Sequence, residues 1–301
     1  MINGIIVVHK EAGFTSHDVV AKMRGICGQK RIGHTGTLDP MATGVLPVCL
    51  GSATRICDML TDRDKEYEAE LLLGVVTDTQ DITGKVLSEC VPDVSEEEVR
   101  KVMLSFRGEY SQVPPMYSAL KVNGKKLYEL AREGKEVERK ARKVVIRELE
   151  ILKCSFPVVR FRTVCSKGTY IRTLCADIGE RLGCGGTMQS LRRTRVGEFE
   201  LGNACTLGEL QQLKDSHRLS EAVIPVDRVF RNCPALHVCR DHRKLLENGN
   251  AISQEQTVEK ELYASGTQVR MYGPEGWFGG IYAYDPGRKW YRPVKMFLEK
   301  E

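Results

Sequence analysis

The sequence is short of the arrangements that hold metals and cofactors. None of its 11 cysteines stands in a C-x-x-C pair, and the odd number is scattered along the chain. Metal centres need ligands close together, and disulfide frameworks belong mostly to small secreted domains. These cysteines therefore read as reduced thiols, mostly buried as small hydrophobes. The six histidines (His9, His17, His34, His217, His237 and His242) show no metal spacing. There is no G-x-x-x-x-G-K-[ST] phosphate loop, no G-x-G-x-x-G after a strand and no H-E-x-x-H. "DTQDITG" (78–84) lacks the alternating oxygen ligands and closing Glu of a calcium loop, and reads as a polar turn. No metal or cofactor is indicated, which favours chemistry that side chains perform alone.

Long apolar runs are also missing. The opening run, Gly4 to Val8, is too short for a signal-peptide core. Nothing approaches the roughly 18 apolar residues of a membrane span. The expectation is a soluble, cytoplasmic protein, monomeric and without an obligatory protein partner. At 301 residues the chain suits one large domain, or a large one plus a small one. It is 42% hydrophobic, enough for a real core. Its net charge is only +5, so an anionic partner must meet local basic clusters.

Residues 4–8, "GIIVV", read as a buried strand. Thr15 or Ser16 caps a helix with Val19, Val20, Met23, Ile26 and Cys27 on one face and Gly28 past its end. "TGVLPVCL" (43–50) and "KEYEAELLLG" (65–74) read as strands. Ser95 with Glu98 makes a capping box before a helix that ends at Gly108. Residues 108–143 are basic and turn-rich, with a short helix inside, and read as an excursion from the core. Two strands (144–152 and 157–166), a helix (168–183) and a second capping box (Thr206, Glu209) follow. After residue 230 the pattern becomes a strand, a short helix and aromatic-rich hairpins. The expected division is a domain over 1–230 and a small, mostly β domain over 231–301.

One stretch stands apart. "RIGHTGTLDPMATGVLP" (31–47) holds a single acidic side chain, Asp39, among glycines and apolar residues. An ordinary aspartate, with a pKa of about 3.9, is ionised at pH 7 and needs no base to act as a nucleophile. It suits attack on an electrophilic carbon, or stabilisation of a positive sugar carbon. Leu38, Met41, Val45 and Leu46 could wall off water. Gly33, Gly36 and Gly44 would let backbone pass close to a ligand. Turn formation alone also explains many Asp-Pro pairs.

"GHTGTLDPMATGVLPVCLGSATR" (33–55) resembles the signature of the TruB family of tRNA pseudouridine-55 synthases. "KEYEAELLLGVVTDTQDITG" (65–84), "QVPPMYSALKVNGKKLYELAREG" (112–134), "CSKGTYIRTLCADIGERLG" (165–183) and "LRRTRVGEF" (191–199) match in order. The resemblance covers most of residues 1–200. The tail resembles, more loosely, the RNA-binding PUA-like domain that ends these proteins. One departure is local: the family's Asp-Lys-Pro-x-Gly is here "HKEAG" (9–13), with His9 and Glu11 in place of Asp and Pro.

The resemblance implies an α+β pseudouridine synthase fold, a mixed, mainly antiparallel sheet flanked by helices and loops. It implies an isomerisation of uridine 55 in the T-loop of tRNA. The uracil is cut from C1′, rotated and rejoined through C5, on a flipped-out nucleotide. Asp39 is the implied nucleophile, adding to the base or to C1′ or assisting elimination to a glycal. Tyr67 matches the active-site tyrosine and Arg172 the arginine that pairs with the aspartate. Tyr170 would position the base, Leu191 would line the pocket, and His34 would fill the gap left by the flipped base. Lys10, Lys121, Lys125, Lys126, Arg139, Lys140, Arg142, Lys143, Arg192 and Arg193 read as cations of a phosphate track for the T arm, with no metal required. The chain has no long basic tails, which favours an enzyme acting alone over a guide-dependent one. An RNA chaperone that does not modify its RNA is the non-enzymatic alternative.

Overall fold

The continuous apolar run of residues 4–8 extends through Lys10 as strand β1 (Gly4–Lys10), whose two faces are both covered. In the computed structural model, which describes residues 1–122 and 124–298, the chain then turns into helix α1 (Ser16–Cys27). Thr15 caps that helix in a box with Asp18, and Gly28 ends it at a left-handed φ of 62°. Strands β2 (Ile32–His34) and β3 (Thr43–Leu50) flank the loop that carries Asp39. A short helix α2 (Cys57–Thr61) leads to β4 (Lys65–Leu73), whose burial alternates residue by residue: Tyr67, Ala69 and Leu71 point inward, Glu66, Glu68 and Glu70 outward.

A small hairpin, β5 (Val75–Thr77) and β6 (Val86–Glu89), holds the 78–84 turn at its tip. Helix α3 (Glu96–Leu104) follows its Ser95–Glu98 box but stops before Phe106, which is buried beyond its end. The excursion is narrower than its composition implied. Strand β7 (Gly108–Gln112) and the start of β10 (Arg142–Ser155) belong to the main sheet, pairing Arg142 with Gln112. Only the stretch between them leaves it, as β8 (Lys121–Val122), β9 (Lys125–Lys126) and helix α4 (Leu127–Arg132). Strand β11 (Val158–Cys165), helix α5 (Ile171–Arg181), strands β12 (Gly186–Val196) and β13 (Phe199–Glu200) and helix α6 (Leu207–Asp215) complete this part.

The main sheet has nine strands in the order β1-β3-β12-β4-β11-β10-β7, with β2 beside β3 and β13 beside β12. All its pairings are antiparallel except β12 with β3. Helices α3 and α5 cover the Tyr67 side in one core with Leu38 and Ala42. Helices α1 and α6 pack on Ile6, Val8, Leu46 and Val48 in a second.

From Ala235 a separate five-stranded sheet takes over, with a short helix α7 (Arg243–Glu247). Its strands are β14 (Ala235–His237), β15 (Ile252–Ser253), β16 (Gln268–Tyr272), β17 (Phe278–Asp285) and β18 (Trp290–Met296). It has its own core around Val269, Met271, Tyr282 and Tyr291. Phe230, Ile281 and Phe297 join Ile5, Val7, Val45 and Ala53 in a shared core, so this mostly β domain leans on the back of β1 and β3. All 11 cysteines are free thiols, as their spacing indicated. No helix among the described residues is long and apolar enough to cross a membrane.

Candidate active site

Asp39 opens a tight turn in which the Ala42 N–H donates to the Asp39 carbonyl at 3.1 Å, with Pro40 inside it. The turn reading and the nucleophile reading thus describe the same backbone. The turn is held from three directions. Ser16, at the start of α1, accepts from the Leu38 N–H at 3.0 Å. The Gly13 N–H donates to the Pro40 carbonyl at 3.0 Å. The Lys10 ammonium donates to the carbonyls of Phe14 (2.6 Å), Pro40 (2.9 Å) and Glu11 (3.1 Å). Three carbonyls use all three N–H groups of an ammonium. Burial pulls Lys10 down to about 8, so it still carries that third proton at pH 7. Lys10 is fully buried, which corrects its assignment to the phosphate track. It also ties down a loop that in the family pattern has a proline where Glu11 stands.

Arg172, second residue of α5, meets the turn on the same side of the sheet. Its Nε lies 2.9 Å from Asp39 Oδ2 and its Nη2 3.3 Å from Oδ1, a bidentate grip. The remaining donors reach the carbonyls of Tyr117 (2.8 Å) and Thr79 (3.1 Å), and Nη1 lies 3.7 Å from Asp81 Oδ2. Arg172 is only 5% exposed, whereas the Asp39 side chain keeps 36% open at one edge. Burial pushes the Asp39 carboxyl above the ordinary carboxylate range, Arg172 pulls it back, and Asp81 adds a push upward.

Asp81 was absent from the sequence-based site. The 78–84 turn is polar as read, but Thr79 and Thr83 both hydrogen-bond one oxygen of Asp81 and leave the other to Arg172. The turn is docked rather than free: the Gln80 side chain accepts from the Thr173 hydroxyl at 2.7 Å, the Gln80 carbonyl accepts from the Met188 N–H, and the Ile82 N–H donates to the Met188 carbonyl. The available signal was an acidic residue inside a matched block.

Tyr67 is buried on β4, 8% exposed, in the same core as Leu38 and Ala42. Burial raises its hydroxyl above the ordinary tyrosine range, and the positive charge of Arg193 offsets part of that. Leu191 lies opposite Ala69 on the same face and packs on this core. Tyr170 caps α5; Gln112 bonds both its N–H and its carbonyl, and its ring is half-buried. His34 is half-buried on β2, edge-on to His17 at 5.6 Å. Burial, His17 and Arg193 all lower His34, which keeps its imidazole neutral at pH 7. The expected dry wall is only partly present. Leu38 and Ala42 supply it, while Met41 is 60% exposed and Val45 and Leu46 belong to other cores.

The basic residues divide. Lys121, Lys125, Lys140, Arg142, Lys143 and Arg192 are exposed, and Lys126 and Arg139 are half-buried. Lys125 and Lys143 face Glu133 and Glu109, and Arg139 faces Glu136. Arg192 sits opposite Glu68 on the sheet's outer face, away from Tyr67. Arg193 is 1% exposed and donates to backbone carbonyls, so it too leaves the phosphate track.

Comparison with known proteins places this arrangement. Residues 24–171 match the TruB family pseudouridylate synthase N-terminal domain, and 172–231 the tRNA pseudouridylate synthase B C-terminal domain. A curated tRNA pseudouridine synthase B from Lachnoclostridium phytofermentans is 50% identical over 99% of this chain and 100% of its own length. The chain belongs to the TruB family. A second TruB relative, the tRNA pseudouridine synthase B of Alkaliphilus oremlandii, is 44% identical over the whole of both chains. Among solved structures, one titled as an H/ACA RNP bound to a substrate RNA containing 2′-deoxyuridine aligns with a TM-score of 0.73 at 25% identity. It covers 99% of this chain and 86% of that one. A Cbf5-Nop10-Gar1 complex aligns equally well at 28% identity over 98% and 85%. The TruB fold here is therefore the pseudouridine synthase fold expected from the matched blocks.

Proposed function

We propose that this chain isomerises uridine 55 in the T-loop of tRNA to pseudouridine, acting alone and with Asp39 as nucleophile. The observation that carries the reading is the Asp39–Arg172 pair. An oriented carboxylate, partly open to solvent, is flanked by Leu38 and Ala42, which share a core with the buried ring of Tyr67. The bidentate guanidinium favours the ionised form and aims it. A flipped uridine entering that open edge would meet Tyr67, whose ring is worth about 1–3 kcal/mol per stacked base. Tyr170 and Leu191 would complete the pocket, and His34 would occupy the vacated place in the stack. A neutral imidazole suits a wedge better than a proton donor. Full-length similarity to curated tRNA pseudouridine synthase B proteins supports tRNA as the substrate. The domain over 1–230 would be catalytic and 231–301 a PUA-like RNA-binding domain. The exposed cations of the excursion would track the T-arm backbone, recognised by shape and unstacked bases rather than through a groove.

The test is incubation of the purified chain with a T-arm stem-loop and mapping of the modified nucleotide. Pseudouridine at position 55 alone is expected. Modification elsewhere, or none without a guide RNA, would overturn the reading.

A further inference from the structure

Strand β12 carries two adjacent arginines that the chain's charge pattern does not distinguish. Successive strand residues face opposite sides. Arg192 pairs with Glu68 on the outer face, and Arg193 with Tyr67 on the inner one, just before a register shift in β12. Bulges of this kind re-aim side chains near functional sites. The Arg193 guanidinium is directed into the protein and bonds backbone there. Its Nε donates to the Val45 carbonyl at 2.7 Å, its Nη2 to Gly36 at 3.2 Å and its Nη1 to Thr37 at 3.4 Å. The cross-strand partner of Arg193 on β4 is Tyr67, so the guanidinium and the phenol share the inner face of the sheet. Among the described residues no carboxylate lies within ion-pair distance of it.

A buried cation without a carboxylate is costly unless fixed dipoles replace its water. Here those dipoles belong to one object. Gly36 and Thr37 lie just ahead of Asp39, and Val45 lies on the strand that leaves its loop. The backbone is pinned as well. Gly44 lies opposite Arg193 at φ 107°, so close that a Cβ there would sit 2.1 Å from the Arg193 carbonyl oxygen.

We infer that Arg193 is a positioning residue for the isomerisation, locking the Asp39 loop against the Tyr67 side chain opposite it, and not a phosphate contact. The inference rests on the reaction proposed above. Arg193 touches no reacting atom; it acts through the two groups that do.

Arg193→Lys tests this, with the wild-type chain first shown to form pseudouridine on the T-arm stem-loop. Wild-type inactivity would defeat the reaction reading and is thereby separate from the result for Arg193. In the lysine variant, single-turnover rate at saturating enzyme is expected to fall about 10²-fold, as for a misplaced reacting group. RNA affinity should stay within about threefold, with an unchanged salt dependence. A rate near wild type, or weaker binding with a salt slope reduced by about 0.7 to 0.9, would overturn the inference. A cycle with Tyr67→Phe adds a readout that a purely structural role would not move. Losses should be less than additive, and full additivity would contradict the shared frame. If the lysine variant does not fold, Arg193→Ala is assayed with methylguanidinium. Turnover restored by that ion, and not by ammonium, supports the frame; failure of both ions to restore it overturns it.

Discussion

At the scale of single residues, the site is a contest over one carboxylate. Burial and Asp81 push Asp39 up, and Arg172 holds it down. In the proposed reaction the ionised form is the reactive one, so activity is expected above the folded pKa and lost as pH falls through it. Because that pKa is raised, the acid limb of kcat should begin above the range of an ordinary aspartate. The two neighbours give shifts of opposite sign. Asp81→Asn removes a repulsion and should move the limb to lower pH, while costing about 10- to 100-fold in rate through a looser Arg172. Arg172→Met removes the attraction and should move the limb to higher pH. A pH–rate profile of each variant checks both directions. Asp39 and Arg172 were legible because long matched blocks surround them. Asp81 was not, since a carboxylate in a Thr-rich turn already has a local explanation. Lys10 and Arg193 were misread because a cation's charge does not reveal which face of a strand it occupies.

Among elements, β3 and β12 meet in the one parallel pairing of the main sheet, and their contact is intimate at Gly44. Gly44→Ala meets backbone atoms at 2.1 to 2.9 Å and an unfavourable φ together. It should destabilise the fold by more than about 3 kcal/mol, read as a lowered melting temperature. Strand and helix assignments followed from periodicity and caps at Thr15, Ser95 and Thr206, all three of which form capping boxes. The edges of the basic excursion were harder to place. Composition marks where charge begins, but Arg142 and Lys143 continue a ladder with β7 despite their charge. At the end of the excursion and the start of β10, Lys140 and Arg142 make no ion pair among the described residues. Replacing both by Gln should reduce the salt slope of RNA binding by about 1 to 2, since each neutralised phosphate contributes roughly 0.7 to 0.9. An unchanged slope would remove these two side chains from the interface.

For the whole molecule, the shared core sets how the two sheets behave. Phe297 is 6% exposed and stacks on Phe278 at 5.4 Å, against Phe230 at 6.2 Å. Phe297→Ala should cost about 3–5 kcal/mol, typical of a buried phenylalanine, and lower the melting temperature of the larger domain along with the small one. Two separate transitions, with only one moved, would show that the sheets fold independently. The division near residue 230 was visible as a change of texture. The apolar seam was not, because Phe230, Ile281 and Phe297 are far apart in sequence and carry no local sign of meeting Ile5 and Val7.

The central claim is that Asp39 performs the chemistry on an extruded uridine while the rest of the surface only binds. Making a bond from C1′ to C5 expels the hydrogen at C5, so release of tritium from tRNA labelled at C5 of uridine counts turnovers directly. The account predicts one tritium released per tRNA by the wild-type chain. It predicts a rate lower by about 10⁴-fold or more for Asp39→Asn, with tRNA affinity kept within about tenfold. Tritium release by Asp39→Asn at close to the wild-type rate would contradict it.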